Sequence, residues 1–373
     1  MNTPAQNASI PASEYTQHIA KHAMFIRGKG GARLELRLAN LSGLRLKSFD
    51  LSQAVLFACN LSNADLENCS FREADLSNTL FIAANLRNCD LTRAKLRGAR
   101  FYKSDLQDAM LDDTDLRVGA VAIKKGEGEE MVTREYLSDL SYCNLEEASL
   151  EGAVMKGVKM VGANLRNADL TGADLGGANL QGAVLLGATL IGVKVEGADL
   201  SGAAFTINDQ TRAIFANHPA FQEHVKNQME VEKIAMAHED WVSSRGQSGK
   251  RADFTGRSLK GIDLRGRELS AVSFRDADLT GAKLSHAKMA AADLSGAKLH
   301  YTDLAGADLR GANFTNAQAL HATLEAADLT GLPLAHGGKL PLRVQGAVFE
   351  LTSFGSASME DQGMVGATLK KCT

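Results

Sequence analysis

The stretch NADLTGADLGGANLQGA, Asn167 to Ala183, places leucine at 170, 175 and 180, alanine two residues before each, and Asp or Asn between them. The same five-residue period extends outward in both directions. From Leu36 to Val121 every fifth residue is apolar, eighteen positions in a row, and from Leu140 to Phe205 the pattern holds for fourteen more. A third run begins at Phe254 and reaches Leu334 with only Ala319 undersized; it resumes in phase at Val344 and ends at Leu369, with Lys339 the one failure. Neither a helix of period 3.6 nor a strand of period 2.0 keeps such a pattern on one face. A chain that turns a corner every five residues does. The large residue and the small one two before it then point inward, and the other three point out.

This A-(D/N)-L-x-x pattern closely resembles the pentapeptide-repeat family, and the resemblance covers about four fifths of the chain. It implies an all-β solenoid: a right-handed, four-sided β-helix with four repeats per coil and coils joined by backbone hydrogen bonds. With about 4.8 Å per layer, some fifty-five repeats make roughly fourteen coils. Each inward Leu or Phe contributes about 1.5–3 kcal/mol on burial. The outward Asp and Asn are placed to bond backbone at the corners. Phe49, Ile262, Leu332 and Leu342 are bulky in the small slot and Arg257 and Arg267 are charged there, so irregular coils are expected at those points.

The breaks in the period divide the chain. Residues 1–33 read as an N-terminal helical cap, 34–206 as the first β-helix with a loop insertion near 122–137, 207–252 as a helical linker and cap, and 253–373 as a second β-helix. A stack of coils ends in a bare apolar layer and needs a cover. Ser13 to Phe25 reads as an amphipathic helix capped by Ser13, with Ile19 and Met24 or Phe25 inward. Pro219 suits the first turn of a longer helix whose apolar side is Phe221, Val225, Ile234 and Trp241. The two helices share a suffix: His22-x-x-Phe25 and a glycine-rich loop before Ala32-Arg33-Leu34, then His238-x-x-Trp241 and a Gly/Ser/Lys loop before Ala252-Asp253-Phe254. Each β-helix is therefore expected to start with its own lid, to which only the last turns of the second helix, around His238 and Trp241, contribute. The charged insertion "KKGEGEE" reads as an exposed loop leaving one corner.

Composition narrows the function. A formal charge of −3 argues against nucleic acid or a membrane surface held by bulk charge. The uncharged run Leu175 to Val193 keeps the period of five and contains Asn179 and Gln181, so it reads as repeat and not as a membrane span. The N-terminus carries no secretory signal pattern, and five cysteines fit neither a disulfide framework nor a zinc pattern. A cytoplasmic protein with reduced, packing cysteines is expected. His18 and His22 lie four apart, yet no acidic or Cys ligand accompanies them, and a solvated helix face is expected there, as for His218, His224 and His238. His286, His300 and His321 occupy outward slots with no nucleophile at a recognisable spacing. Gly28-Lys29-Gly30-Gly31 lacks the GxxxxGK[ST] order of a phosphate loop. No catalytic, cofactor or metal residue is expected.

What remains is surface. Members of the resembled family that protect DNA gyrase imitate B-DNA with an acidic flank, whereas the charge ladders here are mixed: basic from Arg87 to Lys103, then acidic from Asp105 to Asp115, with Lys283, Lys288 and Lys298 in the usual Asp slot. Bands of alternating sign suit a protein partner better than a duplex mimic. Outward apolar residues give the candidate contact surface: Leu80, Ile82 and Tyr102 on one face, Val55 and Phe57 on the next, and Val184, Leu186 and Ile191 in the second run. Coverage of these residues within the chain stays open. Phe25, Phe221, Val225 and Trp241 are the expected cap residues. The expected function is a non-enzymatic scaffold or regulator that binds another protein, or itself through an open β-helix end; a DNA-mimicking topoisomerase protector is the alternative.

Overall fold

The computed structural model describes residues 12–124, 131–359, 364–370 and 372–373. Within a repeat, the path of the five backbone N–H groups explains the sequence pattern. Leu170 N–H donates to Thr189 O on the next coil at 2.8 Å, Gly172 N–H to Ile191 O at 2.7 Å, and Asp174 N–H to Ala153 O on the coil before at 2.9 Å. Ala173 N–H closes the corner on Leu170 O at 3.0 Å. The fifth donor, Thr171 N–H, turns out of the coil and is taken by the Asp169 carboxylate at 2.9 Å. No donor of the repeat is left over. The Asp/Asn slot thus serves the one amide that the coils cannot reach. Gly172 sits at φ +68°, as the third position of a type II turn requires.

Parallel bridges join the Asp/Asn-slot residue of one coil to its equivalent on the next, as in Asn144 with Asn164 and Asp169 with Thr189. The large-residue column is dry: Leu86, Phe101, Leu145, Leu170, Phe274 and Leu294 are all fully buried. Several hydroxyls and thiols in the small slot donate to a carbonyl of the preceding coil, as Thr79 does to Leu56 O, Cys89 to Leu66 O and Thr302 to Leu279 O, whereas Thr114 turns to Leu111 O of its own corner.

The chain forms two compact units, Met1–Ala216 and Asn217–Thr373. The first opens with helix α1, Ala12–Ile26, which presents Tyr15, Ile19 and His22 to the first coil. The Tyr15 hydroxyl donates to Asn40 O at 3.2 Å. Phe25 and Met24 do not face inward: both are exposed, Phe25 stacking flat on His22 at 5.9 Å. Ser13 falls inside the helix and not at its cap. The inward column stops at Leu116, because from Gly119 the chain leaves the coil as an antiparallel hairpin, β1 (Gly119–Lys124) with β2 (Met131–Tyr136), in which Val121 opposes Arg134. The insertion is therefore paired strand where a loop was expected; most of the KKGEGEE run lies outside the described residues. The coil then closes over the gap, Arg100 pairing directly with Asp139. Ser138 pins the hairpin base, accepting from Gly98 N–H at 2.9 Å.

Helix α2, Asp209–Phe215, finishes the first unit, and was expected only as part of a lid for the second. Asn208 and Thr211 form a reciprocal capping box at its start. Phe215 packs on Phe205 of the last coil at 5.1 Å, and Gln210, its amide oxygen turned to the coil, accepts from Leu190 and Ile191 N–H at 2.8 and 3.0 Å.

Helix α3, Pro219–Ser243, belongs to the second unit. Its buried stripe is Phe221, His224, Gln228, Val231, Ala235 and His238, a 3-4-3-4-3 spacing, whereas Val225 and Trp241 are only half-buried. The lid lies across the first coil from Asn227 to His238 and does not merely touch it with its last turns. Asn227 Nδ2 donates to Ser258 O at 2.9 Å, and Gln228 both donates to Asp263 O at 3.2 Å and accepts from Asp263 N–H at 3.0 Å. The charged intruders in the small slot mark this same coil. Arg257 reaches Glu230 at 2.9 Å and Arg267 reaches Glu239 at 3.2 Å, while Ile262 is fully buried, and all three keep regular corner bonds. These coils are regular, contrary to expectation, because the lid supplies partners. Around Lys339 the period fails through a second hairpin, β3 (Leu332–Pro333) with β4 (Lys339–Leu340), so Leu334 is exposed and Arg343 pairs with Asn313. Phe349 then stacks above undersized Ala319, filling the column between Phe314 and Phe354 at 6.0 and 5.4 Å.

Both lids use one device, and it is not the alignment read from sequence. His22 Nδ1 accepts from Leu34 N–H at 3.0 Å; His238 Nδ1 accepts from Ala252 N–H at 3.1 Å. Arg33 Nε donates to Gln53 O at 2.6 Å and Arg251 Nε to Ala271 O at 2.7 Å. A Cβ on Gly31 would lie 2.1 Å from Lys21 O, and one on Gly249 would lie 2.3 Å from Ala237 O. Gly31 and Gly249, Arg33 and Arg251, and Leu34 and Ala252 are thus the true equivalents. The histidines expected in solvent are fully buried pins.

Candidate functional site

The outward residues proposed as a contact surface separate into three groups. Val55, Val184 and Leu186 are buried, so they present nothing to a partner. Phe57 is half-buried with the Arg37 guanidinium over its ring at 5.4 Å, and Ile191 stands isolated and 62% exposed. Leu80, Ile82 and Tyr102 are half-buried and share one face. Leu80 bridges Arg100 on the next coil, and Ala83 N–H donates to Tyr102 O, which places Ile82 and Tyr102 side by side.

The structure adds Tyr142, which is 53% exposed and meets Tyr102 edge to face at 5.7 Å. The hairpin insertion hid this neighbour, because it lies between the two tyrosines in sequence while the coils bring them together. Resuming the count of five at Leu140 would have found it. Tyr142 occupies a corner at φ +58°, a conformation costly for an aromatic residue, and its ring lies over Gly162, where a Cβ would come within 2.8 Å of two ring carbons. Lys103 places its ammonium 5.5 Å from the Tyr102 ring centroid. Half-buried Val161 extends the apolar strip by a further coil. The ladder beside it runs Leu80, Arg100, Asp139, Lys159. In that ladder Asn60 and Asn179 cap their corner amides from the Asp/Asn slot, a role that Leu80, Arg100 and Lys159 cannot perform.

Elsewhere in the first unit opposite charges pair across coils. Arg72 pairs with Asp90 at 3.1 Å, Arg87 with Asp105 at 3.3 Å, and Arg97 with Asp115 at 2.6 Å, each across adjacent coils. Burial opposes ionisation of Asp115, yet hydrogen bonds from Arg117 and Arg97 hold its pKa down at about 2. Burial pushes the Cys59 and Cys69 thiols up to about 11, removing them from nucleophilic chemistry at neutral pH. Among the described residues no three His, Cys, Asp or Glu side chains converge as a metal site, and no helix is long and apolar enough to cross a membrane.

The profile described as pentapeptide repeats matches eight overlapping segments, which span residues 35–117, 138–206 and 250–331. Among solved structures, the chain is similar to HetL, a pentapeptide repeat protein involved in heterocyst differentiation regulation from Nostoc sp. strain PCC 7120, at 29% identity over 48% of this chain and 82% of that one, with a TM-score of 0.33. It is similar to Rfr23 from the cyanobacterium Cyanothece 51142 at 20% identity over 52% and 99%, TM-score 0.23. It is also similar to QnrB1, a plasmid-mediated fluoroquinolone resistance protein, at 20% identity over 50% and 96%, TM-score 0.16. No curated protein matches.

Proposed function

Because the chain belongs to the pentapeptide-repeat family, we propose that it is a non-enzymatic scaffold or regulator, a right-handed four-sided β-helix in two stacks that binds a protein partner through one face of the first. The observation that carries this is the strip of Leu80, Ile82, Tyr102 and Tyr142, held on coils that are joined by backbone hydrogen bonds. Apolar rings fixed in place before contact lose little entropy on binding. Aromatic residues are also the side chains that most often dominate interface energies. The topoisomerase-protecting alternative requires a continuous acidic flank. The cross-coil pairs Lys47–Glu67, Arg72–Asp90 and Arg87–Asp105 alternate sign along the first unit and argue against it.

Affinity capture from the native host with wild type and with Ile82→Ser/Tyr102→Ser tests the proposal. The expected result is one protein retained by wild type and lost from the variant, with melting temperatures that agree closely. An identical set of captured proteins would remove this face from consideration. A large fall in melting temperature would show instead that the strip is internal packing.

A further inference from the structure

The cations around the strip say what kind of partner it fits. Among the described residues, Arg100, Lys103 and Lys159 form no ion pair, unlike Arg72, Arg87, Arg97 and Arg117 nearby. The acidic groups within reach are largely committed. Asp139, between Arg100 and Lys159 on the ladder, spends one oxygen on Ser141 N–H at 2.9 Å. Asp105 accepts from Arg87 at 3.3 Å and from Asn144 at 3.0 Å, and Asp115 is shared by Arg97 and Arg117. Three cations against Asp139 leave the face net positive, in a chain whose overall charge is −3.

We infer that the face takes an acidic protein segment whose apolar or aromatic side chains seat on Ile82, Tyr102 and Tyr142 while its carboxylates meet Arg100, Lys103 and Lys159. The inference rests on the interaction-face reading above. Rings supply the contact, and the unpaired cations select sign and register, as rim charges do at protein interfaces. A nucleic acid would meet too little positive charge here. A basic segment would leave all three cations opposed.

A phage-displayed library of random 12-residue peptides, selected on the full-length protein and counter-selected on Ile82→Ser/Tyr102→Ser/Tyr142→Ser, tests this directly. The expected winners combine Asp or Glu with leucine or aromatic residues. Their affinity falls on the order of tenfold in Lys103→Glu/Lys159→Glu, and the difference shrinks as salt is raised. Winners that are basic or without charge bias, or an unchanged affinity in the charge-reversal variant, would overturn the acidic-partner inference and leave the face standing. No enrichment on wild type over the counter-selected variant would overturn both.

Discussion

Mild acidification should loosen both lids. His22 and His238 are fully buried, and each Nδ1 accepts a backbone N–H, from Leu34 and from Ala252. A proton on Nδ1 would set donor against donor and leave a buried amide unpaired, which costs about 1–3 kcal/mol. Burial lowers both pKa values from the ordinary 6.5. For His22, Asp50 and the Ser52 carbonyl pull the other way and Arg33 adds to the lowering; for His238, the Ser270 carbonyl, Glu268 and Glu239 oppose and Arg251 adds. The sign follows from linkage. The unfolded chain binds the proton more readily, so the stabilisation is complete above pH 6.5 and declines as pH falls towards the folded-state pKa. Within that window each lid can lose at most about 1.4 kcal/mol per pH unit. His300, also lowered chiefly by burial, adds to the slope of the second unit. Carboxylates such as Asp115, at about 2, intervene only in stronger acid. Trp241, the sole tryptophan, stacks on His238 at 5.6 Å and 18°, so its fluorescence reports the second lid. Emission should change with a midpoint below 6.5. His238→Asn, whose amide oxygen can accept the same N–H without titrating, should abolish that change. Hydrogen exchange at Leu34 and Ala252, corrected for intrinsic rates, should show less protection at pH 5 than at 7.5. Unchanged protection, with flat Trp241 emission over that range, would refute the reasoning.

Leu170→Asp places an unpaired carboxylate in a fully buried column and should lower unfolding free energy by several kcal/mol in a denaturant titration; a loss under about 1 kcal/mol would contradict the inward assignment. Gly157 and Gly162 have φ of +68° and +63°, but only at Gly162 does a Cβ meet a ring. Both Ala variants should cost about 1 kcal/mol for the left-handed conformation, while only Gly162→Ala should also shift the Tyr142 ring and weaken the selected peptides. Mixed-sign ladders should give no inhibition of gyrase supercoiling at micromolar protein, and clear inhibition would restore the DNA-mimic reading.

The period of five reveals the coil because every corner needs the same solution, so the leucine column and the Asp/Asn slot announce themselves dozens of times. Features that occur once or twice do not. Tyr142 was missed because the hairpin carries it far from Tyr102 in sequence, although the coils set the two rings in contact. The bulky Val184 and Leu186 looked like surface because slot position was read as exposure, and the structure buries both. The shared lid suffix was visible, but unequal loops between His22 and Gly31 and between His238 and Gly249 shifted its alignment by two residues. Only the backbone bonds reveal that Arg33 answers Arg251.

The misfits in the repeat therefore deserve separate treatment from its consensus. Arg257 and Arg267 break the small slot where a lid supplies carboxylates, and their departure is resolved within the chain. Leu80, Arg100 and Lys159 break the Asp/Asn slot on a face where, among the described residues, neither cation forms an ion pair. Each forgoes the side-chain cap that Asn60 and Asn179 give to the same ladder. Along the rest of this ladder the slot caps a corner amide, as Asn40, Asp139 and Asp199 also do, and at these three positions it is occupied by residues that serve the surface. The departure with no ion-pair partner among the described residues is the one that points to a partner outside the chain.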